Sequence, residues 1–303
     1  MAVPVPVPIP NLTPVSSSSS AVKPVVIFTT PPNYAARLSH LLTLKGHTPL
    51  WCPTITTHPT PQSLTSHLSP QSISLLSAIA FPSRASITSF SLAALSLPKP
   101  LLPSHGSTLI LAALGKDSEL IDTQFISQIC SNLRRIKVLV PPTATPKSLA
   151  LSLGEGYGRR VLCPVPKVVG INEPPVVPDF LKDLEGGGWI PIRVDAYETR
   201  WVGPNCAEEV VRKGEQIEGE VDAIVFTSTG EVEGFLKSLR EFSWDWGMVR
   251  KRWPRLLVAA HGPVTAAGAE SLGVDVDVVS PNFSSFQGVV DALDAHFRIL
   301  VQE

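Results

Sequence analysis

The chain is built from two copies of one pattern. Ala78-Ile79-Ala80-Phe81-Pro82-Ser83 returns as Ala223-Ile224-Val225-Phe226-Thr227-Ser228, 145 residues later. Leu109-Ile110-Leu111-Ala112-Ala113-Leu114-Gly115 returns as Leu256-Leu257-Val258-Ala259-Ala260-His261-Gly262 after 147 residues, and Val138-Leu139-Val140-Pro141 as Val278-Val279-Ser280-Pro281 after 140. Each run has the length of a buried strand, ends at Ser, Gly or Pro, and precedes a helix-like stretch. Three such blocks, in one order and at nearly one spacing, describe a duplicated α/β unit. Residues 24–49 and 161–191 each add a further strand–helix stretch ahead of a set of blocks. Chain order leaves open whether each stretch joins the blocks after it or the other set. Open α/β sheets take ligands at the turns beyond their strand ends, so the gap between the two units is the expected site.

A chain of 303 residues can hold two domains with their own cores, and 44% hydrophobic against 17% charged residues marks it as globular. No apolar run reaches the roughly 18–20 residues of a membrane-spanning helix. The net charge of −1 conceals an asymmetry: residues 1–116 contain no Asp or Glu. Their six basic residues (Lys23, Arg37, Lys45, Arg84, Lys99, Lys116) are scattered, whereas nucleic-acid binders cluster theirs, so no nucleic-acid partner is expected. They suit either a solvated Ser/Thr-rich surface or a weakly positive lip for an anion. Trp244-Asp245-Trp246-Gly247-Met248-Val249-Arg250-Lys251-Arg252-Trp253 is the one aromatic and basic segment; it reads better as a connecting helix with its tryptophans inward.

Four cysteines lie far apart without C-x-x-C spacing, which points to a reducing compartment rather than disulfides or zinc. Seven histidines show no ligand spacing, so no metal is expected. His261 closes its strand before Gly262-Pro263, as a structural hydrogen-bonding residue or an acid–base group. Gly154-Glu155-Gly156-Tyr157-Gly158 follows a helix rather than a strand and reads as a loop, not a dinucleotide fingerprint. Residues 1–22 alternate Val and Pro before five serines and read as a disordered tail. Their acid-free, Ser-rich composition suits a chloroplast address, with the cytoplasm as the alternative.

Thr227-Ser228-Thr229-Gly230 and Gly262-Pro263-Val264-Thr265 each sit where a strand gives way to a helix. Backbone N–H groups there bind carboxylates or phosphates, and hydroxyls add a donor. Helix capping accounts for any single one of Ser228, Thr229 or Thr265. The pair, with counterparts at Ser83 and Ser118 in the first repeat, suits a ligand with several carboxylates.

Asp222-Ala223-Ile224-Val225-Phe226-Thr227-Ser228, Ala259-Ala260-His261-Gly262-Pro263-Val264-Thr265-Ala266-Ala267, Leu272-Gly273-Val274 and the tyrosine-bearing Val194-Asp195-Ala196-Tyr197-Glu198-Thr199 resemble the uroporphyrinogen-III synthase family. The likeness runs over roughly residues 24–298 and is stronger in the second half. It implies cofactor-free closure of linear hydroxymethylbilane to uroporphyrinogen III with inversion of ring D, in haem or chlorophyll biosynthesis, by an expected monomer. It gives Tyr197 the role of acid and makes Ser228 and Thr265 substrate contacts; the paired turns add Thr227, Thr229, Gly262, Ser83 and Ser118 as candidate substrate contacts. It also implies an α/β fold of two similar flavodoxin-like or Rossmann-like domains with parallel sheets, joined by a two-stranded antiparallel linker. Residues 23–46 and 203–303 would form one domain, 58–190 the other, and 47–57 with 191–202 the linking strands. Two departures stand out. Where the family has a Gly-x-x-Thr turn the chain has Gly115-Lys116-Asp117-Ser118, and Asp117 would repel a substrate carboxylate by about a kcal/mol unless Lys116 offsets it. The family's Pro-Arg-Gly is replaced by Pro164-Val165-Pro166-Lys167. An active synthase and a non-catalytic relative that binds a tetrapyrrole or a protein are the two readings.

Overall fold

A computed structural model describes residues 23–216 and 219–300; the tail read at residues 1–22 lies outside the described residues. The elements form two sheets flanked by helices. The first takes β1 (Val25–Phe28), β2 (Thr48–Trp51), β9 (Ala223–Phe226), β10 (Leu257–Ala260) and β11 (Val278–Val279), in the order β11-β10-β9-β1-β2, all parallel. The second takes β3 (Ile55–Pro59), β4 (Leu76–Phe81), β5 (Leu109–Ala113), β6 (Ile136–Leu139), β7 (Arg160–Val169) and β8 (Ile190–Trp201), in the order β3-β8-β7-β4-β5-β6. It is parallel except for β3 against β8.

Continuous apolar strands are what a sheet buried on both faces requires. In the first sheet Ile27, Ile224 and Val258 point into one core and Val26, Val225 and Leu257 into the other, following the two-residue alternation of a strand. β1 lies between β9 and β2, with Ile27 opposite Ile224 and Leu50, so the chain's first strand packs with its last third.

Two features shape the second sheet and its junction with the first. β7 does not stop at Pro164 but continues to Val169, with a register shift between Val165 and Pro166. A proline cannot donate to a ladder; β7 tolerates two because its pairing with β4 ends at Leu162, leaving one side free. Residues 47–57 and 191–202, read as linking strands, divide between the sheets. Thr48–Trp51 belongs to the first; antiparallel pairing is confined to residues 55–59 against 197–201. On its other side β8 is a parallel neighbour of β7 from Ile190 to Arg200, held by the buried Val194 and Ala196.

The helix Thr229–Glu241 of the first sheet is where the two halves grip each other. Lys237 Nζ donates to the Gly170 carbonyl at 2.6 Å and lies 4.2 Å from the ring centroid of Trp201, whose Nε1 donates to Ser238 Oγ at 2.9 Å. Thr54 Oγ1, between β2 and β3, donates to the Glu231 carbonyl at 3.0 Å. These contacts hold the strand ends of both sheets around one space.

Candidate functional site

That space is a cavity of about 490 Å³, lined by the segments that follow β1, β4, β5, β6, β9, β10 and β11. Every one leaves the carboxyl end of its strand, the position where parallel sheets present their turns. The duplicated sequence therefore becomes two sets of turns facing one another.

The repeated serines occupy equivalent places. Ser83 caps the helix Arg84–Leu95, its Oγ accepting from the Ser86 N–H, and Ser228 caps Thr229–Glu241, accepting from the Glu231 N–H. Both satisfy an otherwise open N–H of a first turn. Ser83 has a second partner: its Oγ lies 2.9 Å from the Tyr197 hydroxyl. Tyr197, on β8, is buried at 6% exposure. Burial pushes its phenol up to about 12, and the Ser83 hydrogen bond works in the opposite direction. At neutral pH the phenol keeps its proton.

Of the residues read as site residues, Tyr197, Thr227, Ser228, Thr229, Gly262, Thr265 and Ser83 all line the cavity. Ser118 does not. The segment after β5 forms a 3-10 turn, Gly115–Leu120, rather than an α-helix start, and Ser118 Oγ turns back to donate to the Gly115 carbonyl at 2.6 Å. Thr265 also differs from the expectation of a cap: its hydroxyl donates to the Thr227 carbonyl at 3.2 Å and so ties the two turns of the second repeat together. Gly262 is extended, with φ −171°, and is glycine for space. A Cβ there would lie 2.8 Å from the Phe283 Cβ.

Asp117 lines the cavity but is not a bare charge. Its Oδ1 lies 3.5 Å from Arg84 Nη1, so Arg84 rather than Lys116 offsets it. Burial raises the Asp117 carboxyl above the ordinary range, against the pull of Arg84. Arg37 and Lys116, both exposed at the rim, form no ion pair with any described residue. The cavity thus offers two uncompensated cations and several hydroxyl and backbone donors, a field suited to carboxylates.

Among the lining residues that escaped the sequence reading are Tyr34, Glu231, Phe283 and Phe286. Tyr34 follows β1 as Ser228 follows β9, so the rule of turns after strand ends would have found it. Its phenol is raised by burial and then by Asp117 from the opposite half, and its ring meets Phe286 edge-on at 5.8 Å. Glu231 was legible as the fourth residue of Ser228-Thr229-Gly230-Glu231, the S-x-x-E spelling of a capping box. His261 stacks edge-on against Phe286 at 5.2 Å, with Nδ1 buried and unpartnered among the described residues, and burial lowers its imidazole below the usual range. It faces the cavity as a neutral ring.

Elsewhere, Trp253 is buried at 2% and its Nε1 donates to the Gly219 carbonyl, while Met248 and Lys251 of the same segment stay exposed. The four cysteines are free and buried. Among the described residues no group of His, Cys, Asp or Glu gathers as a metal site requires, and no helix is long and apolar enough to cross a membrane.

Comparison with known proteins gives three findings. Residues 36–289 match the family model described as uroporphyrinogen-III synthase HemD. The chain is 33% identical over 110 residues to a protein of Methanothermobacter thermautotrophicus described as "Putative uroporphyrinogen-III synthase"; the match spans 36% of this chain and only 39% of that relative. The fold is similar to the crystal structure of a mutant uroporphyrinogen III synthase from Thermus thermophilus, with a TM-score of 0.60 at 19% identity, covering 92% of this chain and all of that one.

Proposed function

The chain belongs to the uroporphyrinogen-III synthase family, and we propose that it closes hydroxymethylbilane to uroporphyrinogen III with inversion of ring D, without a cofactor, as a step of tetrapyrrole biosynthesis. The observation that carries this reading is the Tyr197–Ser83 hydroxyl pair on one wall of a cavity whose other wall presents the Thr227–Thr229 and Gly262–Thr265 turns.

The reaction expels a hydroxyl from the linear substrate and then closes the ring on the electrophile that remains. The hydroxyl must leave as water, so a proton has to reach its oxygen. Tyr197 holds one at neutral pH. As the phenol gives up that proton, Ser83 can turn its own hydroxyl toward Tyr197 Oη, since its oxygen is already occupied by the Ser86 N–H. A donor aimed at developing charge in a water-poor pocket is the arrangement that favours a transition state over a ground state. The helix-start turns and the rim cations Arg37 and Lys116 bind the substrate's carboxylates away from the reacting end.

A second reading, a tetrapyrrole-binding protein without turnover, draws on Asp117 and the 3-10 turn that replace an open helix start in the first half. The two separate in a coupled assay with freshly made hydroxymethylbilane. Isomer III above the spontaneous isomer I supports the synthase; isomer I alone leaves the binding protein. The Ser-rich residues 1–22 support a plastid address, tested by whether a fluorescent fusion to them is imported.

A further inference from the structure

Glu231 is 1% exposed and makes no ion pair with any described residue, yet four donors converge on its carboxyl. Oε2 accepts from the Thr29 hydroxyl at 2.8 Å and the Thr227 N–H at 2.9 Å. Oε1 accepts from the Thr227 hydroxyl at 2.5 Å and the Ser228 hydroxyl at 3.3 Å. Thr227 and Ser228 are cavity-lining residues. While Glu231 is a carboxylate it draws their hydroxyl hydrogens inward and leaves lone pairs toward the cavity, the wrong polarity for an anionic ligand. A protonated Oε1 reverses this. It donates to Thr227 Oγ1, whose own hydrogen is then free to point at a ligand carboxylate.

We infer that Glu231 is a positioning residue for substrate: it takes up a proton from solvent when a polycarboxylate enters the cleft, and so converts Thr227 from an inward to an outward donor. The inference rests on the cleft being the binding site for such a ligand, as proposed above. An incoming carboxylate is a like charge, which favours the neutral form of a buried acid. Burial already raises the Glu231 carboxyl, opposed by its four hydrogen bonds. The titratable neighbour across from it is Tyr34, on the helix Pro32–Leu44, which senses Glu231 and also the Asp117–Arg84 pair of the other half. Thr29, Thr227 and Ser228 complete the shell without charge.

The test uses uroporphyrin III, a stable polycarboxylate, in calorimetric titrations from pH 6 to 8 in phosphate and in Tris, whose different ionisation heats report proton uptake. Wild type should take up more protons per ligand than Glu231→Gln, whose amide donates permanently to Thr227, with a difference approaching about one. Wild-type affinity should fall toward high pH by up to about tenfold per unit beyond any change in the variant. Thr227→Val keeps Glu231 and removes the hydroxyl; it should bind at pH 6 as weakly as wild type binds at pH 8. Equal proton uptake in wild type and a folded Glu231→Gln overturns the inference. Should that variant not fold, Thr227→Val binding like wild type at both pH values overturns it instead. No binding by wild type overturns the cleft reading as well, so the two failures are distinct.

Discussion

Tyr197 and Ser83 stand 114 residues apart in the chain and meet oxygen to oxygen at 2.9 Å. One comes from β8 and the other from the turn after β4, and neither hydroxyl would be placed without the other's element. Tyr197→Phe keeps the ring and its packing and removes only the proton. Turnover should fall by about 100-fold or more, as for a lost general acid, with a smaller change in substrate affinity. Steady-state kinetics with freshly made hydroxymethylbilane decide it, and full activity in Tyr197→Phe removes the proposed acid.

Ser83→Ala leaves the phenol without its supporting donor. It should lose less turnover than Tyr197→Phe, and the double variant should lose no more than Tyr197→Phe alone, because the two act as one unit. Additive losses would show that they act separately.

Thr265 links the two turns of the second repeat through the Thr227 carbonyl. Thr265→Ala should lower stability by about 1 kcal/mol, the net value of one neutral hydrogen bond, and weaken binding of a polycarboxylate as the Thr227 turn loosens. Urea unfolding and porphyrin titration on one preparation measure both. A change in binding without any change in stability would instead make Thr265 a direct ligand contact.

Asp117 holds Arg84 at 3.5 Å. Asp117→Asn removes the acid and leaves Arg84 free to face the cavity. Affinity for uroporphyrin III should rise several-fold at low salt, and the gain should shrink as salt screens it. Arg84→Gln should do the reverse. A tighter-binding Arg84→Gln protein would place Asp117 outside the ligand's reach.

Glu231 binds its proton in the folded chain at pH values where the unfolded chain has lost its own, because burial holds its carboxyl above the usual range. The stability this contributes is present in full below the unfolded value and is lost as pH rises through the folded one. Denaturant unfolding followed from below the ordinary carboxylate range upward should therefore show wild type weakening as pH rises relative to Glu231→Gln. Parallel stability curves would mean that the folded protein does not hold this proton more tightly than the unfolded chain.

The strands and the places where chemistry gathers were legible because they depend on local pattern. Apolar runs such as Ala223–Phe226 and Leu257–Ala260 are strands in any context that buries both faces, and their repetition at nearly one spacing marks a duplicated unit. Hydroxyl residues at the ends of those runs were expected at helix starts, and Ser83 and Ser228 cap helices there. Other features needed the third dimension. Pro164 and Pro166 lack the N–H that a ladder uses, which is a local fact, whereas the free side of β7 that tolerates them depends on where β4 stops. Ser118 carries the same hydroxyl as Ser83, but the 3-10 turn after β5 directs it back to its own backbone.

By itself, the sequence determined where the repeated strands lie, that the pattern occurs twice, and which turns carry donors, since propensity, periodicity and capping act within a few residues. The tertiary structure decided which donors meet. Pairing β1 with β9 brings Thr29 to Glu231, and packing β8 beside β7 brings Tyr197 to Ser83. Those partners are 202 and 114 residues apart, and only the burial of two sheets around a common space closes such distances.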